Sequence, residues 1–251
     1  MINSNRIDFL GVPIDALSME ETLDKIITHI KNKEATQHMA INPAKIVHML
    51  RDPEIAQTVR NCEVITADGM GVVWASRLFA DSIPCRVTGI DLMNNLIGKA
   101  AELGLKPYFL GAKQEVLEKT VKHYQNMFPN LVFAGYRNGY FNDLEEQAIA
   151  EDIRESGCDM LFVAISSPKK EQFLGRWRST MKVPYCMGVG GSFDVVAGKV
   201  SRAPKWMQRF GLEWSHRVIQ EPKRMVGRYA KDIPKFSLFV LKGRLFGTKV
   251  P

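Results

Sequence analysis

Cysteine is scarce in this sequence. Its four cysteines, Cys62, Cys85, Cys158 and Cys186, stand far apart and form no CxxC pair. Neither a disulfide frame nor a zinc site is expected, and buried free thiols in a reducing compartment are the default. The five histidines, His29, His38, His48, His123 and His216, show no HxxxH or HExxH spacing. No metal site is therefore expected. Long apolar runs are missing as well, and no stretch reaches the ~18 apolar residues of a membrane-spanning helix. Met1–Leu10 is polar and lacks the apolar centre of a signal peptide, so a cytoplasmic location is expected. There is no internal repeat, no GxGxxG fingerprint and no P-loop, which argues against a dehydrogenase or a Walker-type nucleotidase.

What is present is ordinary in bulk and uneven in charge. The chain has 251 residues, 45% of them hydrophobic and 24% charged. That is ample for one large α/β domain with a real core. Ser201–Pro251 carries 12 Lys+Arg against 3 Asp+Glu, whereas the first 200 residues carry 22 against 24. The basic character belongs to the tail, and a concentrated basic segment implies an anionic partner.

Residues 1–200 alternate short apolar runs with helical patterns. Strands are expected at Ile7–Val12, Gln37–Asn42, Val64–Ala67, Pro107–Leu110, Leu131–Tyr136, Met160–Ile165 and Val183–Val189. Helices are expected between them, the first capped by Ser18 with Glu20 and Glu21 in its opening turn. This rhythm predicts a Rossmann-like α/β fold, a mostly parallel sheet with helices on both faces. Residues 201–251 read as a helical basic appendage, with stretches at Pro204–Phe210, Leu212–Gln220, Pro222–Ala230 and Ile233–Phe246.

Ligands in such sheets bind at the carboxyl ends of the strands. Asp68, in Ala67-Asp68-Gly69-Met70-Gly71, could be a general base or simply the cap of the helix at Met70, and spacing alone favours the cap. Asn42-Pro43 likewise reads first as a cap. Gly111 and the turn Gly188-Val189-Gly190-Gly191 could bring backbone N–H groups to phosphates, and Asp194 could accept from a ribose hydroxyl. A tight structural turn is an equal reading. Tyr140, after Gly139, could stack on a nucleobase or close the core edge. Lys169 and Lys170 open a helix, where they suit an anion or a solvated surface. Arg217, Arg224 and Arg228 are spaced to share one helical face, fit for a diphosphate. The last segment mixes Phe236, Leu238, Phe239, Leu241 and Phe246 with lysines, which suits a helix lying in a membrane interface or one docked on the core.

In this order, the motifs resemble the WecG/TagA/CpsF family of bacterial glycosyltransferases. The pieces are Gly11-Val12-Pro13-Ile14-Asp15; Asn42-Pro43; Ala67-Asp68-Gly69; Arg86-Val87-Thr88-Gly89-Ile90-Asp91; Phe109-Leu110-Gly111; Gly139-Tyr140-Phe141; Gly188-Val189-Gly190-Gly191; and the run from Arg202-Ala203-Pro204 to Gln220-Glu221-Pro222. The resemblance implies an inverting, metal-independent transferase without a cofactor. Its donor would be a UDP-sugar carrying N-acetylmannosamine, N-acetylmannosaminuronic acid or a related hexose. Its acceptor would be an undecaprenyl-diphosphate-linked sugar in cell-surface polysaccharide synthesis, met at an anionic membrane surface on the inner face of the plasma membrane.

By that likeness Asp68 becomes the base. Asn42 and Arg86 become substrate contacts, Tyr140 and Asp194 nucleoside contacts, and Arg217, Arg224 and Arg228 phosphate contacts. Gly227 stands where many relatives have a further arginine, which weakens the assignment of Arg228. The family usually has Pro-Lys-Gln-Glu where this chain has Pro168-Lys169-Lys170-Glu171, so Lys170 is expected to read an acidic or differently substituted sugar. The competing class is a basic nucleic-acid- or membrane-binding module without transferase activity. It is disfavoured because the basic charge is confined to the tail, and no nucleic-acid partner is expected. A homo-oligomer is left open.

Overall fold

The computed structural model describes residues 5–80 and 82–250, apart from the side chains of Arg224 and Arg228. The chain opens with a hairpin, β1 (Arg6–Phe9) and β2 (Val12–Asp15). Then follow α1 (Met19–Lys31), β3 (Thr36–Ile41), α2 (Pro43–Met49), α3 (Pro53–Arg60), β4 (Val64–Ala67), α4 (Met70–Ser76) and α5 (Gly89–Leu103). The second half continues β5 (Pro107–Gly111), α6 (Gln114–Met127), β6 (Gly135–Arg137), α7 (Glu146–Glu155), β7 (Met160–Ala164), α8 (Lys169–Met181), β8 (Tyr185–Gly188) and α9 (Ser192–Val196). The tail folds as α10 (Lys205–Arg209), α11 (Glu213–Gln220) and α12 (Pro222–Phe246).

Strands β3 to β8 form one parallel sheet in the order β4-β3-β8-β7-β5-β6. The expected Rossmann-like architecture is what the chain adopts. Both faces of the sheet are covered, so β7 reads as a continuous apolar run with every residue buried. On one face Phe109, Phe162 and Tyr185 meet Ile26, Leu96, Leu117 and Phe193 from α1, α5, α6 and α9. On the other, Met39, Ile41 and Ile65 meet Ile46, Val72 and Phe239 from α2, α4 and α12. Helix α1 starts with the expected Ser18 cap: Ser18 Oγ accepts from Glu21 N at 3.2 Å, and Glu21 Oε2 accepts from Ser18 N at 2.8 Å.

Several boundaries differ from the sequence reading. The strand expected at Ile7–Val12 is interrupted at Leu10-Gly11, where both residues take positive φ (55° and 84°) and the chain reverses into β2. The helix α3 was not expected, and β6 is three residues where Leu131–Tyr136 was expected. The last two helical stretches are one helix running through Pro234. A proline inside a helix removes a hydrogen bond and costs about 3 kcal/mol. Phe236, Phe239 and Val240 just beyond it are buried in the core and offset that cost at roughly 1.5–3 kcal/mol each.

The end of the chain is fastened to its beginning. Val250 N donates to Leu10 O at 2.8 Å, Arg60 Nη2 donates to Val250 O at 3.0 Å, and Lys249 pairs with Asp8. The far side of α12 leaves Leu238, Leu241, Leu245 and Phe246 exposed. Among the described residues no helix is long and apolar enough to cross a membrane.

Candidate active site at the carboxyl edge of the sheet

Asn42, Asp68, Gly111, Ser167, Gly188 and Gly190 all lie at the carboxyl ends of the parallel strands. The helices after β3 and β7 pack on one face of the sheet, and those after β8 and β5 on the other. Neighbouring loops therefore part and open crevices at this edge, the position where such sheets bind ligands.

Asp68 is not a cap. Gly69 is the N-cap of helix α4, which has no side-chain cap, and the Asp68 carboxylate instead accepts from Gly89 N, at the start of α5, at 3.1 Å. Burial pushes its proton affinity up. Arg217, the Gly89 N–H and Arg86 pull it down in that order, Glu213 adds to the rise, and the net effect is a carboxyl held above its ordinary value. A half-buried carboxylate of raised basicity, free of capping duty, suits proton abstraction. Asn42 does cap its helix, accepting from Lys45 N at 2.9 Å.

Arg86 reaches from the core to the tail. Its Nη1 donates to Glu213 Oε2 at 2.6 Å and its Nη2 to Gln208 O at 3.4 Å. Arg202 grips Asp91 with two bonds of 2.6 Å, and its Nε lies 3.6 Å from Glu213. Burial would raise the Asp91 carboxyl, but the Arg202 and Thr88 hydrogen bonds outweigh it and hold it below its usual value. This ionic set draws α10 and α11 over the carboxyl edge and sets Arg217 where its charge acts on Asp68. Sequence reasoning assigned no role to Glu213, Asp91 or Arg202. The scarcity of acids in the tail was the available signal, since Glu213 is one of only three there.

A second charged cluster sits at the ends of β7 and β8. Glu171 is 2% exposed; Lys45 Nζ donates to its Oε1 at 2.5 Å, Lys170 Nζ lies 3.2 Å away, and Ser167 Oγ donates to Oε2 at 2.9 Å. Burial would raise the Glu171 carboxyl, but Lys170, Lys45 and Ser167 bring it down to about 2. The Lys170 stem lies against Gly188, where an added Cβ would come within 2.5 Å of its Cδ and Cε. The neighbouring Lys169 is used locally, donating to Phe141 O at 2.6 Å over the Phe141 ring.

The third group faces the glycine turn. Gly190 takes φ 52°, and Asp194 pairs with Lys199 at 3.0 Å. The Asp194 hydrogen bond raises the Lys199 ammonium, with a smaller influence from Tyr140. Tyr140 is largely exposed while Phe141 packs on Phe173. A cleft of about 350 Å³ lies among Asp194, Lys199, Val200, Gln220 and Glu221. Gly111 keeps the β5 loop tight: at φ 124° its Cα passes Ala164 so closely that a Cβ would sit 2.6 Å from backbone atoms. A larger cleft of about 460 Å³ opens away from these loops, before β3 and β8, at Lys33, Arg178 and Lys182.

The side chains of Arg224 and Arg228 fall outside the described residues. All four cysteines are free, and burial pushes the Cys62 thiol up to about 12 and that of Cys158 to about 11. Among the described residues no group of three or more His, Cys, Asp or Glu is placed to hold a metal ion.

The parallel Rossmann-like sheet thus sets a strand-end carboxylate beside an arginine-bearing appendage. Comparison with known families gives the class of protein. The model of the glycosyl transferase WecG/TagA/CpsF family matches residues 7–250, and the chain belongs to that family. Two relatives, from Bacillus spizizenii strain W23 and Bacillus subtilis strain 168, are each 33% identical over 236 residues, covering 92% of this chain and 90% of their own. Each is described as an N-acetylglucosaminyldiphosphoundecaprenol N-acetyl-beta-D-mannosaminyltransferase.

Proposed function

We propose that this glycosyltransferase moves a hexose, N-acetylmannosamine or a close relative, from a UDP-sugar to an undecaprenyl-diphosphate-linked sugar, with inversion and without a metal. The observation that carries the reading is Asp68. It stands at a strand end, takes no part in capping α4, is oriented by Gly89 N, and lies under the charge of Arg217.

In this mechanism Asp68 takes the proton of the acceptor hydroxyl as its oxygen attacks the anomeric carbon. The bond from that carbon to the UDP oxygen breaks on the opposite face, and UDP leaves with the electron pair. Arginine forks match the charge that develops on a diphosphate. Arg217 would take this role, with Arg224 and Arg228 as further partners. Asp194 and Tyr140 would hold the nucleoside beside the glycine turn. Lys170, set in the crevice between β7 and β8, would contact the donor sugar. The acceptor is lipid-borne, so the protein would work peripherally on an anionic membrane, with the exposed face of α12 as its contact. Its product would feed cell-surface polysaccharide synthesis.

The test is Asp68→Asn, which keeps shape and removes basicity. Transfer from a UDP-sugar to a soluble diphosphate-sugar acceptor should fall by about 10²–10⁴-fold, with UDP affinity unchanged. Only the ionised carboxylate can accept a proton, so wild-type kcat/KM should fall as pH drops through a value above the ordinary carboxylate range. Full activity in Asp68→Asn would remove Asp68 as the base.

A further inference from the structure

Helix α4 starts two residues after Asp68 and leaves large apolar side chains uncovered. Trp74, four residues after Met70, is 47% exposed. Leu78, in the turn that ends the helix, is 55% exposed. The buried side of the same helix, Val72, Val73 and Ala75, is fully occupied by the core, so these outer residues are surplus to folding. Across from them the tail comes into contact at Gly211, where an added Cβ would lie 2.6 Å from Met70 Cβ and 3.1 Å from the Trp74 ring. The adjoining Phe210 is 64% exposed and Trp206, on the same face of α10, is 57% exposed. Scattered exposed apolar residues need no explanation, but apolar groups gathered where two elements meet, as at Gly211 and Trp74, do.

The band has a direction. The α4 end of it starts beside Asp68, where Arg217 and Arg86 supply positive charge, and its exposed apolar groups are carried outward on α4 and on the α10 turn, with Arg77 and Arg209 between them. Carboxylate, then arginines, then aromatic and aliphatic surface is the order of hydroxyl, diphosphate and hydrocarbon in a polyprenyl-diphosphate sugar. We propose that the band formed by Trp74, Leu78 and Phe210 with Trp206 is the track that holds the first isoprenoid units of the acceptor. This rests on the function proposed above and adds a binding surface to it. The outer face of α12 is a separate patch, carried on a helix that packs against α2 and the hairpin.

The experiment compares two acceptors, N-acetylglucosamine diphosphate on a short alkyl chain and on a farnesyl chain, with the full-length protein. Wild type should favour the farnesyl acceptor in KM. Trp74→Gln with Leu78→Gln should raise KM for the farnesyl acceptor about tenfold, leave the short-chain acceptor within twofold, and leave the KM for the UDP-sugar unchanged. Both positions are exposed, so the melting temperature should hold. Phe210→Gln gives the same readout from the other wall.

Absence of a chain-length preference in wild type, or an equal loss on both acceptors in the variants, overturns the track. Parallel loss of binding to phosphatidylglycerol vesicles would make the band a membrane contact instead, and a dimer dissociating in sedimentation would make it a self-association face. If wild type transfers to neither acceptor, the proposed function itself fails. Transfer to both at equal KM removes only the track.

Discussion

The last fifty residues are attached in two different ways. Helices α10 and α11 are held largely by charge, through Arg86–Glu213 and Arg202–Asp91, over a strand edge where the chemistry would occur, with Gly211 against Met70 and Trp214 against Tyr229 as lesser apolar contacts. Helix α12 is held by hydrocarbon, with Phe236, Phe239 and Val240 inside the same core as the hairpin and α2. Ion pairs at a partly exposed surface are weak and screened by salt, whereas buried aromatic side chains are neither. One stretch of sequence thus contains a part fastened largely through ion pairs and a part buried in the core. The basic charge that singled out residues 201–251 conceals this division, because arginines and lysines are spread over both.

That contrast can be broken. The largest effect should come from Phe239→Ala, which empties a buried aromatic site and should cost about 3–5 kcal/mol. The melting temperature should fall by roughly 10 °C, and an unchanged value would mean that α12 is not part of the core. A smaller effect should follow Glu213→Gln, which removes the shared partner of Arg86 and Arg202. Docking of α11 should weaken by about 1 kcal/mol. The expected reading is a roughly fivefold lower kcat/KM, a flatter dependence on ionic strength, and little change in melting. A melting loss as large as that of Phe239→Ala would put α10 and α11 in the core as well. The smallest effect on stability should be that of Leu241→Ser with Leu245→Ser, on the uncovered side of α12, within about 0.5 kcal/mol. Binding to anionic vesicles should nonetheless drop, and retention at wild-type level would detach α12 from the membrane.

Much of the sheet was legible because parallel strands buried on both faces must be apolar runs, as in Met160–Ala164. The order in which the strands pair, and hence the gathering of Asp68, Gly111 and Gly190 at one edge, lies in no local pattern. The hairpin escaped notice because Leu10 takes a left-handed conformation that its residue type does not advertise. Helix α3 could have been found, since Asp52-Pro53 is a cap followed by a favoured first residue, and Asp52 does accept from Glu54 N and Ile55 N. Asp68 is the instructive case. Its neighbours made it look like a cap, and the group that claims its carboxylate is Gly89, twenty-one residues further on. The role of Glu213 was equally hidden, because its partners Arg86 and Arg202 are brought together only by the fold.

The influence of Arg217 on Asp68 ties the carboxylate to the tail. That arginine is the strongest single factor lowering its proton affinity, and Glu213, which raises it, stands on the same helix. One short helix therefore tunes the carboxyl in both directions. A substitution that displaces α11 should shift the titration of Asp68 as well as the charge around it, so a pH profile reports on the seating of the tail.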